Sequence, residues 1–443
     1  MKIPRLIVAG TESGAGKTTI TVSIILKLMA KHVKVKPYKI GPDYIDPQFH
    51  RLASGVPSEN LDLWMMDDDQ IKYLLIEGSK GYDISIIEGV MGIFDGTGTD
   101  FSGSTYDLAR RTGTPIILVL DGYGISATGA AIVAGVKAYA GDLIRGVIVT
   151  RVSGEPHYRL IRGAIEEKTG VPVLGYMTRN ERAVIESRHL GLVQAYEIGE
   201  INSVFEAIES STFIDTERLI DIAGSAEDIY TSYRPAVDRL GTFKISLAMD
   251  SAFDFYYEEN LRILRRMGAN ISYFSPIRNE VPGSDSDLIY LGGGYPEVFA
   301  GMLEAAKDTR DAILFAAGHG TGIYAECGGY MFLCRSLEST EGRVYQGVGI
   351  IPASVYLENK LVIGYREISA RRDTGILKSG ETAKGHEFHK SRIRFEGSYN
   401  HPFLLRSRSS STEDGFSDGT VTATYAHVHF LSNPHVAENL LQS

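Results

Sequence analysis

Short β-branched runs alternate with longer amphipathic stretches along the first half of the chain: LIVA (6–9) then 16–31, ISII (84–87), IILVL (116–120) then 126–140, GVIV (146–149) then 158–168, and VPVL (171–174). This rhythm predicts βαβ units, that is, a mostly parallel sheet covered by helices. Within 16–31, Ile20, Ile24, Ile25, Leu28 and Met29 recur at helical spacing and predict one apolar face docked on that sheet. From about 211 to 242 the pattern turns irregular, with an acidic helical piece (213–223) followed by a proline-containing stretch that lacks a β run. Alternation then restarts with FKISLAM (243–249), a helix around 257–267, NISYF (270–274), DLIYL (287–291), a helix near 309–317 and IYAE (323–326). The pattern predicts an α/β protein of two domains, 1–212 and 243–443, joined by a linker at 213–242. Short strand-like runs at 344–351, 361–369, 390–395 and 420–425 predict a mixed sheet extending the second domain.

Composition narrows the class. The 443 residues are 43% hydrophobic and 23% charged, which suits sizeable cores and excludes a disordered chain or a coiled coil. No run of eighteen apolar residues is present, so no membrane span is expected. The opening MKIPRLIVAG leads into a glycine-rich loop instead of a longer apolar segment and cleavage site, and reads as a first strand of a cytoplasmic chain. Forty-five Lys and Arg against fifty-five Asp and Glu leave a net charge of −10, which argues against non-specific binding to nucleic acid or anionic membrane. Cys327 and Cys334 fit neither a CxxC pair nor a disulfide framework.

Residues 10–19, GTESGAGKTT, stand between a predicted strand and an amphipathic helix. There the backbone N–H groups of a glycine-rich loop and the positive helix end cradle phosphate. The loop assigns Gly14, Gly16, Lys17, Thr18 and Thr19 to ATP, with Lys17 reaching the β/γ-phosphates and the Thr18 hydroxyl placed to ligate Mg²⁺. Thr11 occupies the position where the strict form of the motif has glycine, so this is a variant loop whose glycine is Gly10. Metal ligands of such a site come from the carboxyl ends of neighbouring strands. Glu88, reached directly by an apolar run, is the natural carboxylate, and Asp95 lies in the loop after it. YKIGPDYIDP (38–47) offers Lys39, Asp43 and Asp46, although the two aspartates read equally well as turn caps beside Pro42 and Pro47.

In the second domain IYAECGGYMFLC places Cys327 between a short strand and a helix opening with two glycines, the pattern of a nucleophile elbow. A thiol is only a few per cent ionised at neutral pH and needs a base, for which His427 and His429 near the C-terminus are candidates. The backbone N–H groups of Gly293, Gly294 and Gly328 are candidates for holding an oxyanion. Cys334 reads as an apolar core position on the helix after the elbow.

GTESGAGKTT, KIGPDYIDPQFH, EGVMGIFDG, RHLGL (188–192), LGGGYPE, AECGGYM, GYRE (364–367), GHEFHKS (385–391) and HVHFLSNP follow one another in an order that resembles the cobyrinic acid a,c-diamide synthase family over essentially the whole chain. The resemblance implies an N-terminal domain similar to dethiobiotin synthetase and a C-terminal class I, triad-type glutamine amidotransferase. It implies that Cys327 is the glutaminase nucleophile and that the activating base lies in the H-x-H segment, with His427 favoured because related amidotransferases read TYxHG there. It further assigns Asp43, Tyr44, Ile45 and Asp95 to substrate, and Thr18, Asp46 and Glu88 to Mg²⁺. One departure is that Glu186 and Ser187 stand where the family commonly has Pro-Glu. The implied activity is ATP- and glutamine-dependent amidation of the a and c acetates of cobyrinic acid through an acyl phosphate. Its partners would be glutamine and a tetrapyrrole, and it is compatible with a homodimer. The same chemistry on hydrogenobyrinic acid or nickel sirohydrochlorin is an alternative. A regulatory P-loop ATPase is a second one, against which the Cys327 domain argues.

Overall fold

The apolar runs of the first half form the centre of one sheet in a computed structural model that describes residues 1–183, 185, 187–188, 191–192 and 201–442, of which 187–188 and 191–192 are described by backbone alone. β1 (Arg5–Gly10), β2 (Val35–Ile40), β3 (Glu59–Leu61), β4 (Ile84–Gly92), β5 (Ile116–Asp121), β6 (Ile144–Val152) and β7 (Val173–Thr178) run parallel in the order β7-β6-β5-β1-β4-β2-β3. Ile86, Ile87, Leu118, Val119, Val147 and Ile148 are fully buried, as expected of parallel strands covered on both faces. A hairpin of β8 (Ser187–Arg188) and β9 (Gly191–Leu192) follows, and β10 (Thr212–Ile214) closes the β7 edge antiparallel.

The helices of this unit are α1 (Lys17–Ala30), α2 (Ile45–Ser54), α3 (Asp68–Gly78), α4 (Thr105–Thr112), α5 (Thr128–Ala140), α6 (Glu155–Thr169), α7 (Ile201–Ser211) and α8 (Thr216–Gly224). α1 buries Ile20, Ile24, Ile25 and Leu28, but Met29 is exposed, because about 100° per residue turns it to the side opposite Ile20. α2 escapes the periodicity argument for a functional reason: its inward positions include Asp46, Gln48, His50 and Ser54.

The stretch read as a linker, 213–242, is divided by the fold. β10 and α8 belong to the first unit, the Met1 ammonium donates to Ile229 O, and the Arg5 guanidinium donates to Glu227 O. The chain separates into its two units between Arg234 and Pro235.

In the second unit β11 (Phe243–Ala248), β12 (Ala269–Phe274), β13 (Leu288–Leu291) and β14 (Gly322–Glu326) are parallel. Further strands are β15 (Cys334–Glu338), β16 (Val344–Gln346), β17 (Ile351–Ala370), β18 (Thr382–Phe395), β19 (Phe403–Arg406), β20 (Ser411–Asp414), β21 (Phe416–Ser417), β22 (Val421–Thr424) and β23 (His427–Val428). One sheet has the order β12-β11-β13-β14-β22-β21, and the other runs β16-β15-β17-β18-β23 with β19 and β20 at its side. The helices are α9 (Glu258–Met267), α10 (Ala300–Ala305), α11 (Lys307–Gly318), α12 (Gly328–Leu333) and α13 (His435–Gln442). The mixed sheet predicted after 340 is there, built on a hairpin much longer than its separate runs indicated. Cys334 is fully buried, but α12 ends at Leu333 and the residue opens β15. β17 and β18 pair Gly364 with Glu387, and β18 and β23 pair His386 with His427, so three distant motifs converge. No helix among the described residues is long and apolar enough to cross a membrane.

Candidate active sites

β1 delivers the glycine-rich loop to the N-terminus of α1. Gly14 and Gly16 have φ of +80° and +95°, and a Cβ on Gly16 would meet Thr150 Cγ2 at 3.2 Å. Glycine therefore serves both the left-handed backbone and the close approach of β6. Lys17 bends back to donate to Glu12 O at 3.1 Å; burial above all, and then Lys39, lower its pKa.

Strands β2 and β4 place Lys39 beside Glu88 in register. Lys39 Nζ lies 2.5 Å from Asp46 Oδ2 and 3.0 Å from Glu88 Oε1, and the Thr18 hydroxyl lies 2.8 Å from Glu88 Oε1 and 3.2 Å from Asp46 Oδ1. His50 Nε2 donates to Glu88 Oε2 at 2.6 Å. Burial works against charge at Lys39 and Glu88 alike. Asp46 and Glu88 nevertheless raise the Lys39 pKa, and Lys39 with His50 lowers that of Glu88. One ammonium cannot compensate two buried carboxylates, and burial together with the Glu88 charge pushes Asp46 well above the usual carboxylate range. This oxygen set, one hydroxyl and two carboxylates short of one positive charge, fits a hard divalent cation that keeps water and phosphate oxygens as its other ligands.

These groups open on a cavity of about 800 Å³ lined by Gly14, Gly16, Lys17, Thr18, Thr19, Lys39, Asp43, Asp46 and Glu88, together with Arg151 and Arg179. Asp43 Oδ1 accepts from Ile45 N at 2.8 Å, and Asn60 Nδ2 donates to Asp43 O at 2.8 Å, which holds the GPDYIDP turn. Tyr44 and Ile45 are buried at the start of α2 and are not among the lining residues. Asp95 also lies off that wall and accepts from Gly92 N at 2.9 Å. His50 stands at the end of the quoted KIGPDYIDPQFH but was given no role, and Arg151 and Arg179 carried no signal in the one-dimensional pattern. The RHLGL segment and the departure at Glu186 and Ser187 lie outside the residues whose side chains are described.

In the second unit β14 runs into Cys327, whose φ of +44° and ψ of −101° are strained for a residue with a Cβ, as a nucleophile elbow requires. The turn is pinned from both sides: Cys327 N donates to Thr424 O at 2.8 Å and Gly329 N to Gly292 O at 2.9 Å. The Gly293 carbonyl accepts from Asp254 N and Phe255 N, each at 3.1 Å, which fixes the loop beside the elbow. A Cβ on Gly293 would fall 2.1 Å from His427 Cε1, and one on Gly328 would fall 3.0 Å from Gly294 N. His427 is thus packed on the glycine loop that adjoins the elbow. His429 faces elsewhere, with its ring centroid 4.8 Å from that of Tyr257 and Nε2 3.9 Å from Glu259 Oε2. Burial, aided by His386 for His427 and by Arg262 for His429, brings both pKa values down to about 3.

The thiol itself is raised well above its ordinary pKa, by burial first and then by Glu297 and Glu387, against the weaker effect of the Gly328 N–H. The elbow alone therefore does not make a thiolate. Sequence reasoning passed over these carboxylates, although both stand in quoted motifs, LGGGYPE and GHEFHKS. Glu387 is paired with Arg366 of GYRE and lies 3.4 Å from His389 Nε2, and Cys327 Sγ is 3.8 Å from Phe388 O.

Residues 6–192 match the model of the CobQ/CobB/MinD/ParA nucleotide binding domain, and residues 244–435 match that of the CobB/CobQ-like glutamine amidotransferase domain. The chain is 79% identical over 441 residues to a protein of Thermoplasma acidophilum named cobyrinate a,c-diamide synthase, covering 100% of both chains. Proteins of the same name from Thermoplasma volcanium and Listeria innocua are 52% and 41% identical, covering 100% and 98% of this chain and 97% of each relative.

Proposed function

The chain belongs to the cobyrinate a,c-diamide synthase family, ligases that take their nitrogen from glutamine, and from that premise we propose that it amidates the a and c acetates of cobyrinic acid by way of an acyl phosphate. The observation that carries the reading is the presence in one chain of the Thr18–Asp46–Glu88 oxygen cluster on a phosphate loop and of a strained Cys327 turn against the Gly293–Gly294 loop on which His427 packs.

In the first unit Gly14, Gly16 and Thr19 would offer backbone and hydroxyl groups to the ATP phosphates, and Lys17 would offset charge on the transferred phosphoryl group. Thr18, Asp46 and Glu88 would hold Mg²⁺, which, when bound, supplies further charge compensation at the phosphates. Asp43 reaches the cavity wall and would orient the tetrapyrrole. Tyr44 and Ile45 would act by anchoring that turn, and Asp95 by fixing the loop after β4. A substrate acetate oxygen attacks the γ-phosphorus and ADP leaves. Ammonia then forms the C–N bond as phosphate departs.

In the second unit Cys327 Sγ would bond to the side-chain carbonyl carbon of glutamine. His427, kept unprotonated by burial, would take the thiol proton and return it to the departing nitrogen. The N–H groups of Gly293, Gly294 and Gly328 would hold the oxyanion. Water then cleaves the thioester to glutamate.

Cys327→Ala tests the division of labour: amidation with glutamine should vanish, whereas amidation with an ammonium salt at raised pH should persist. Equal failure with both nitrogen sources in a folded variant, or persistence with glutamine, would overturn the assignment.

A further inference from the structure

The loop after β13 brings Glu297 to the elbow, where its neighbour Pro296 packs on Gly328. Glu297 as a residue is only partly buried, but its Oε2 is shut off from solvent and has no hydrogen-bond partner among the described residues. A buried acceptor without a donor is costly and signals a missing partner. The other two carboxylates near the thiol are already occupied, since Glu387 has Arg366 and His389, and Glu326 accepts from Tyr290, Tyr324 and Val428 N. The vacancy is thus specific to Glu297, and it calls for a donor, best a cationic one, within the reach of a ligand whose other end meets Cys327. Given the glutaminase reading of Cys327, on which this inference rests, that ligand is glutamine, whose single cationic group is its α-ammonium.

We propose that Glu297 accepts the α-ammonium of glutamine, and that this contact makes the reactivity of the Cys327 thiol depend on the presence of substrate. The groups whose charge bears on the thiol are Glu297 from the loop after β13, Glu387 from β18 and Glu326 from β14. Each negative charge opposes formation of a thiolate. An ammonium seated on Glu297 cancels one of them at the moment the electrophile arrives. Burial raises the carboxyl of Glu297 itself to about 7, so it is ionised and able to act in this way at mildly alkaline pH. Amides without an α-ammonium are then poor substrates.

Glu297→Gln moves two readouts in opposite directions. KM for glutamine should rise on the order of tenfold to a hundredfold with the loss of a charged hydrogen bond. Alkylation of Cys327 by neutral iodoacetamide at about pH 8, without glutamine, should become faster, because the neighbouring negative charge is gone. Glu297→Asp, which keeps the charge, should recover part of the glutamine affinity and the slow alkylation. An unchanged KM in Glu297→Gln, or alkylation no faster than in the wild type, overturns the proposal. Glutaminase activity surviving in Cys327→Ala would instead overturn the reading on which it rests. Thermal unfolding midpoints of all variants establish that they are folded.

Discussion

Glu326 ties the nucleophile turn to the segment of the candidate base through one side chain. It directly precedes Cys327, and its Oε1 accepts from Val428 N at 3.0 Å, the peptide next to His427. Tyr324 and Tyr290 donate to its two oxygens at 2.7 and 3.0 Å. Burial raises its carboxyl from 4.5 to about 7 despite these donors. Between those two values the folded chain holds a proton that the unfolded chain has released. The contribution of Glu326 is therefore complete below about 4.5 and is lost as pH rises towards 7. Glu326→Gln removes that dependence, so denaturant unfolding should show the variant gaining on the wild type by a few kcal/mol, to order of magnitude, across this window. A difference that stays flat with pH would contradict the buried, protonated carboxyl. His427 and His429, with pKa near 3, act with the opposite slope in both proteins and cancel in the comparison. At this scale Lys17, Glu88 and Cys327 were legible because their neighbours in the chain define their setting. Glu297, Glu387 and His50 were not, because their role comes from partners that only folding brings near.

At the scale of elements, two turns do most of the positioning. The elbow at Cys327 and the Gly293–Gly294 loop are locked together, and no side chain fits between Gly293 and His427. Gly293→Ala should displace the imidazole and lower glutaminase activity by about a hundredfold, a loss typical of one misplaced catalytic group, as a glutamate-release assay would show. Wild-type glutamate release from this variant would mean that His427 is not the base. The strands of the parallel sheets were legible from their β-branched runs and glycine-rich ends. α2 was hidden because it turns Asp46 and His50 inward, and α8 was read as the start of a linker because its acidic surface masks the packing of Leu219 and Ala223. The β17–β18 hairpin is the clearest limit of local reading. Its pairing sets Arg366 near Glu387, and no periodicity states which strand meets which.

For the whole molecule, the proposed chemistry divides between the two units, residues 1–234 and 235–443, with carboxylate activation in the first and ammonia release in the second. The paired match to a nucleotide-binding and an amidotransferase domain agrees with two chemistries in one chain. If the tasks are coupled, ATP cleavage, glutamine cleavage and substrate amidation must keep step. The most direct measurement incubates the purified protein with Mg-ATP, glutamine and cobyrinic acid, and follows product mass together with ADP and glutamate. The expected result is two successive conversions of carboxyl to amide, each with about one ADP and one glutamate. Release of ADP and glutamate with no change in the mass of cobyrinic acid would contradict it.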